Sequence, residues 1–332
     1  MKDIANRTGL GLATISKYLN GGTVREKNRI AIERAIGELD FTVNEFARSL
    51  KTSKSKTIGV LIPELSNVFI TSVITALEDL LRQNGYGIIV CDSRTDAGRE
   101  KDAVEFLMSK MVDGIVMMPA GSDGDCLKPA LEKKLPVVLV DRTIAGLEGR
   151  TGEVTVDNYR IARDCAECFL EKGHRKVGMI AGPKEISTSV QRLSGFWDAF
   201  TESGIPYEER LVAYGGYTIE GGYKAMNALL EQSPEITGVF VSNYEMTVGA
   251  MLAINERGLQ IPNELSLIGF DNLELARVVK PRLTIAEQPI DEIGEKAARL
   301  LLEQLGEASP PRRVLLEARL RPGESVRDLK AR

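Results

Sequence analysis

Histidine is almost missing from this chain: one residue, His174, in 332. A single imidazole cannot make a paired-histidine metal site, and His174 sits in "EKGHRKVG", away from any nucleophile motif. G-x-S-x-G and H-E-x-x-H are both absent. Carboxylates are plentiful, but nothing marks a matched acid and base. These absences argue against an enzyme. Cysteine is scarce too, at four residues: Cys91, Cys126, Cys165 and Cys168. Cys165 and Cys168 form C-x-x-C near His174, which raises metal or redox chemistry. However, "RIARDCAECFLEKG" reads as a helix with both thiols on one face, and no second C-x-x-C completes a zinc site. Small buried hydrophobes are the expected role, with no metal and no cofactor. No apolar run approaches the ~20 residues that cross a bilayer. "MKDIANRTG" lacks the apolar core of a signal peptide. A cytoplasmic protein without a membrane partner is expected. Low-complexity tracts and short repeats are lacking, and "PGESVRDLKAR" has no leucine heptad for a tetramerising coiled coil.

Net charge is only −4, which alone speaks against nucleic acid. The distribution reverses that reading. Residues 1–56 hold 11 Lys/Arg and 6 Asp/Glu, whereas the other 276 hold 32 and 41. A small basic head on an acidic body is the asymmetry expected when one end meets phosphates.

The head reads as helical: Met1 to Thr8, Leu12 to Leu19 and Glu26 to Leu39, with "NEFARSLK" (44–51) as a further short segment. In the third helix Ile30, Ala31, Arg34 and Ile36 fall at mixed spacing. "TSKSK" (52–56) is a polar linker. Beyond it, strand-like apolar runs alternate with helix-length segments. The first series is "TIGVLIP" (57–63), "GIIVCDS" (87–93), "DGIVMMP" (113–119) and "PVVLVD" (136–141). The second is "KVGMIAG" (176–182), "LVAY" (211–214), "GVFVS" (238–242) and "LSLIGFD" (265–271). Continuous apolar strands with helical crossovers predict parallel sheets covered on both faces. The fold class is therefore α/β: a helical head and two Rossmann-like subdomains with a cleft between them.

"GLGLATISKYLNGG" (9–22) poses the central question. Its G-x-G resembles a phosphate loop, but that loop needs a preceding strand and a third glycine, where Thr14 stands. A helix-turn-helix fits better. Ile4, Ala5, Leu10, Ile15 and Leu19 supply a small core, Gly9 takes positive φ in the turn, and Gly11 stands at the cap of the second helix. That helix then offers Leu12, Ala13, Thr14, Ser16 and Lys17 to a DNA groove.

"KDIANRTGLGLATISKYLNG" followed by "VREKNRIAIERAIGELDFTVNEFARSL" resembles the headpiece of the LacI/GalR family of bacterial transcription regulators. "KTIGVLIPELSNVF", "VDGIVMMP", "PVVLVDR", "GHRKVGMIAGP", "QRLSGFWDAF", "IPNELSLIGFDN" and "LTIAEQP" follow in that family's order. The resemblance implies a helix-turn-helix head at 1–43, a hinge helix and linker at 44–56, and a periplasmic-binding-protein-like core at 57–332. Within the core it implies one subdomain at about 57–157 and 288–318, and another at about 158–287 and 319–332. It implies that Leu12, Ala13 and Lys17 meet base edges, Lys17 at guanine and the other two at thymine methyls. Thr14, Ser16 and Asn20 position phosphates or pack. Leu50 matches the family's minor-groove wedge. An eight-residue helix is marginal alone, so the hinge is expected to fold on DNA and act as the switch. The implied partners are a near-palindromic operator, a second copy of the chain and a small effector. Departures are Gly11 where Ser is usual, Met1 where relatives carry a capping Thr, Val68 for a frequent Pro, and Tyr244 for a frequent Asp.

Ligands of open α/β sheets bind beyond the carboxyl ends of strands. Asp141, Asn243 and Asp271 fall there. By resemblance, Arg192 and Asp271 grip polar ligand atoms, Tyr217 packs on a ligand ring and Phe69 lines the opposite wall. Two blander readings stand beside these: an interdomain Arg192–Asp271 ion pair, and core roles for both aromatics. A sugar or sugar derivative leads the effector candidates, with a nucleobase or a protein corepressor behind it. A solute-binding protein of the same two-lobed shape is the rival function, and the basic head argues against it.

Overall fold

The structure is a computed structural model that describes residues 1–19, 22–41, 54–121, 123–271, 273–306 and 309–331. It falls into two compact units, Met1–Ser55 and Lys56–Arg332. The predicted hinge segment with Leu50, and also Asn20, lie outside the described residues.

The first unit holds helices α1 (Lys2–Thr8), α2 (Leu12–Leu19) and α3 (Glu26–Glu38). Gly9 ends α1 at φ +68°, where a Cβ would be strained, and donates its N–H to Ala5 O. The Gly11 carbonyl then accepts from the Thr14 and Ile15 N–H groups to start α2. Ile4, Ile15, Ile32 and Ala35 are buried, with Ala5, Leu10, Tyr18, Leu19, Ile36 and Phe41 around them. Each fully buried isoleucine contributes about 1.5–3 kcal/mol, so three of them carry much of this small core. The inward face of α3 differs from the spacing read in sequence. Ile30 is 54% exposed, and Ile32, Ala35 and Ile36 form the i, i+3, i+4 stripe.

The second unit starts with β1 (Thr57–Ile62), α4 (Val68–Gln83), β2 (Gly87–Asp92), α5 (Ala97–Ser109), β3 (Gly114–Met117), α6 (Lys128–Glu132), β4 (Val137–Val140) and β5 (Gly152–Val156). It continues with α7 (Asn158–Glu171), β6 (Val177–Ala181), α8 (Ser187–Glu202), β7 (Val212–Tyr214), α9 (Ile219–Gln232), β8 (Gly238–Val241), α10 (Tyr244–Glu256), β9 (Ser266–Phe270), α11 (Leu273–Val278) and β10 (Thr284–Glu287). Last come α12 (Ile290–Gly306), β11 (Arg313–Leu316) and β12 (Arg319–Arg321). Two sheets result, in the orders β2-β1-β3-β4-β5-β11 and β7-β6-β8-β9-β10-β12. All pairings are parallel except β10 with β12.

Each sheet is apolar on both faces, as uninterrupted runs such as "GIVM" and "VVLV" require. Phe69, Val73, Leu77 and Leu301 pack one face of the first sheet, and Val104, Leu107 and Leu127 the other. In the second sheet Met226, Leu229 and Ile254 cover one face, and Phe169, Phe196 and Phe200 the other. Cys165 is fully buried in that last cluster, which makes it a core residue. The covering helices pair through glycines. A Cβ at Gly195 of α8 would lie 2.1 Å from Tyr159 O of α7, and one at Gly249 of α10 would lie 2.0 Å from Ile219 O of α9.

The two sheets repeat one topology, so β4 and β9 hold matching places. The chain passes between them after β5, after β10 and after β11. The carboxyl ends of strands in both sheets meet at one cleft, which positions the site.

Candidate functional site

On the head, α2 buries Ile15 and turns Leu12, Ala13 and Lys17 outward; Leu12 is 48% exposed. Thr14 and Ser16 are half-buried on its flanks. An exposed leucine beside a lysine on a fixed helix suits a groove that shows thymine methyls and guanine acceptors. Two contacts hold that helix. The Tyr18 hydroxyl donates to Glu33 Oε1 of α3 at 2.7 Å, and the Gly22 N–H donates to Lys17 O at 2.8 Å. Arginines on α1 and α3 are spent on Glu26, Glu33 and Glu38. Lys17 has no acidic partner among the described residues, which leaves its charge for phosphate or base.

In the body, Phe69, Asp141, Arg192, Tyr217, Asn243 and Asp271 all line one cavity between the two sheets. The strand ends explain most of this convergence. Asp141 follows β4 and Asp271 follows β9. Each donates its backbone N–H to the next strand, at Val154 O (2.9 Å) and Ala286 O (2.7 Å). Asp141, Tyr217 and Asp271 all have left-handed backbones, with φ of 66°, 61° and 56°. Such a conformation costs on the order of 1–3 kcal/mol in a residue with a Cβ, so the local hydrogen bonds must impose it. Asn243 caps α10, its Oδ1 accepting from Met246 N at 2.9 Å. Phe69, in the first turn of α4, belongs both to the first core and to the cavity wall.

Arg192 is buried and hydrogen-bonded through two of its three nitrogens. Its Nε donates to Asn158 Oδ1 at 2.7 Å, its Nη1 donates to Ser242 O at 2.6 Å, and its guanidinium lies 3.8 Å above the Phe270 ring. It forms no direct ion pair with Asp271, and both residues belong to the second sheet's lobe, so the interdomain ion-pair reading fails. Asp271 instead accepts from Gln288 Nε2 at 2.9 Å. Burial pushes the Asp271 carboxyl up to about 7, against the lowering influence of Arg192 and Gln288. Tyr217 packs over Gly182, where a Cβ would lie 2.2 Å from its ring, and its hydroxyl is 3.1 Å from Thr188 Oγ1.

Sequence reasoning missed Arg142, Glu245 and Gln288, which line the same cavity. Arg142 donates from Nη1 to Pro119 O at 2.8 Å and approaches the Tyr217 ring from the other lobe, 5.7 Å from its centroid. Glu245 accepts from Asn243; burial raises its carboxyl. Gln288 follows β10, so the strand-end rule finds it once "TIAE" is read as a strand. The cavity measures about 50 Å³. Drug-sized ligands occupy pockets of roughly 300–1,000 Å³, so a ring-sized ligand needs the lobes or Tyr217 and Arg142 to move apart. A larger open chamber of about 570 Å³ adjoins it and shares Phe69, Tyr244, Asp271 and Gln288.

A basic helical head and a body with a polar inter-lobe cleft suit a ligand-controlled DNA-binding regulator, and known proteins agree. The periplasmic binding protein-like domain family matches residues 166–326. Catabolite control protein A of Priestia megaterium is 32% identical over 307 residues, covering 91% of each chain. The HTH-type transcriptional repressor PurR of Proteus mirabilis is 34% identical over 309 residues, covering 92% of this chain and 90% of its own. The solved cellobiose complex of the transcriptional regulator CelR superposes with a TM-score of 0.77 at 27% identity, covering 98% of each chain. The chain belongs to the LacI/GalR family of bacterial transcription regulators. It is an allosterically controlled DNA-binding regulator of the repressor type.

Proposed function

We propose that the protein binds a near-palindromic operator as a homodimer and that a sugar or sugar derivative in the cleft sets its affinity for that site. One observation carries this reading: six residues scattered from Phe69 to Asp271 converge on a single cavity, in a chain whose head holds Leu12, Ala13 and Lys17 outward on one helix. Lys17 reads guanine, Leu12 and Ala13 meet thymine methyls, and Thr14, Ser16 and Asn20 serve the backbone. Leu50, in the hinge, wedges the minor groove and kinks the duplex. Effector binding changes the spacing of the two hinges and so their folding on DNA. The relatives it matches are transcription regulators, and on this reading the cleft binds its ligand and does not transform it. Its place of work is the chromosome, in the cytoplasm.

A thermal-shift screen of sugars, sugar phosphates and purines tests the effector half, run in parallel on Arg192→Ala. An effector raises the parent's melting temperature by linkage and loses most of that effect in the variant. A screen in which every hit stabilises both proteins equally places the ligand outside this cleft.

A further inference from the structure

We propose, building on the cleft as the effector site, that it selects an effector carrying neither phosphate nor carboxylate, and that Glu245 is a residue that enforces this choice. Charge comes first. Asp141, Glu245 and Asp271 line the cavity against Arg142 and Arg192. Both guanidiniums already donate to protein oxygens. Arg192 holds Asn158 and Ser242. Arg142 holds Pro119 O and stands 3.4 Å from Asp141 Oδ2. An arriving anion therefore meets Glu245, which has no ion-pair partner among the described residues, while each arginine already donates to protein oxygens.

The adjoining chamber adds to the same field. Glu274, Glu287, Asp291, Glu292 and Glu317 line it, against Arg319 and Arg321, and Arg321 is paired with Glu287. A cleft lined by one sign of charge focuses its potential and repels ligands of that sign before they arrive.

Unsatisfied atoms then say what the site accepts. Arg142 Nε, Glu245 Oε1 and Gln288 Oε1 are buried without a hydrogen-bond partner, and all three residues line this cavity. Gln288 is 3% exposed, so its free carbonyl oxygen is not satisfied at the surface. Such groups are costly to leave unpaired. Two acceptors and one donor call for a ligand with at least two O–H or N–H groups and one acceptor oxygen. A polyhydroxylated ring meets that demand; its phosphate ester brings acceptors where the protein already has acceptors.

The test uses the full chain and matched pairs: D-ribose, D-glucose, cellobiose and adenosine, each beside its own monophosphate, measured by calorimetry at low salt. The proposal predicts that a neutral member binds and that its phosphate binds at least about tenfold more weakly, with the gap shrinking as salt rises. Glu245→Gln keeps the shape and one acceptor but removes the charge, and should narrow the gap several-fold. Asp141→Asn serves as the second variant if the first fails to fold. A phosphate ester that binds as tightly as its neutral parent, and loses affinity in Arg192→Ala, overturns the proposal while the cleft remains the effector site. Binding that Arg192→Ala leaves untouched, or no binding by any pair, overturns the cleft reading and this proposal with it.

Discussion

Asp271 offers a quantitative prediction. Its carboxyl is 6% exposed, and burial lifts it from an ordinary 3.8 to about 7. A carboxyl whose folded value lies above its unfolded value keeps its proton longer in the folded chain. Between about pH 4 and 7 the folded state then binds more protons, so stability falls as pH rises through that window and levels off above it. A shift of about three units at roughly 1.4 kcal/mol each sets a ceiling of about 4 kcal/mol. Between pH 5 and 8 the change should be about 2–3 kcal/mol. Asp271→Asn keeps an acceptor for Gln288 Nε2 and cannot ionise. Urea unfolding of parent and variant at pH 5, 6, 7 and 8 isolates the effect of this carboxyl together with the charges coupled to it. The parent should lose about 2–3 kcal/mol relative to the variant across that range. Parallel stability curves, or a parent that gains on the variant with rising pH, would refute the assignment of a buried, proton-holding Asp271.

Helix packing gives the next prediction. Gly249→Ala forces a Cβ to within 2.0 Å of Ile219 O, so melting of the body should drop by the equivalent of about 1–3 kcal/mol or more. Gly37→Ala is the opposite case. Its Cβ would meet nothing within 4 Å in α3, and replacing a helical glycine should stabilise the head by about 0.5–1 kcal/mol, read from its own unfolding transition. On DNA, Lys17→Ala should cost about 1–3 kcal/mol and relax preference at one base pair; a uniform loss across all sequences would recast Lys17 as a phosphate contact. Leu50→Ala should weaken operator binding in a gel shift and spare effector binding, and unchanged operator affinity would remove the wedge.

Much of the architecture was legible because buried parallel strands are written as unbroken apolar runs. "GIVM", "VVLV" and "GVFV" name themselves. β5 was not seen, since "GEVTV" carries Glu153 and Thr155 inside a buried strand. β11 and β12 lie at the sheet edges with exposed arginines and offer no such run. In α3, Ile30 obscured the true stripe because propensity does not say which isoleucine faces inward. In the cleft, Asp141, Asn243 and Asp271 follow from strand ends, whereas Arg192, Tyr217 and Phe69 needed the family resemblance. The left-handed backbones at Asp141, Tyr217 and Asp271 were invisible in sequence. Residues other than glycine do not advertise positive φ, and the surrounding hydrogen bonds that impose it exist only in the folded lobes. Glu245 escaped notice because its importance lies in a free buried oxygen, which is a property of packing.

The central claim is that residues 1–56 grip a specific duplex under control of the cleft. Footprinting of purified full-length protein on host chromosomal fragments, repeated with the best ligand of the thermal-shift screen and with Arg192→Ala, tests it most directly. The account predicts a near-palindromic protected site whose occupancy the ligand changes in the parent and not in the variant. A chromosome with no protected site, or protection that the ligand alters equally in both proteins, would contradict it.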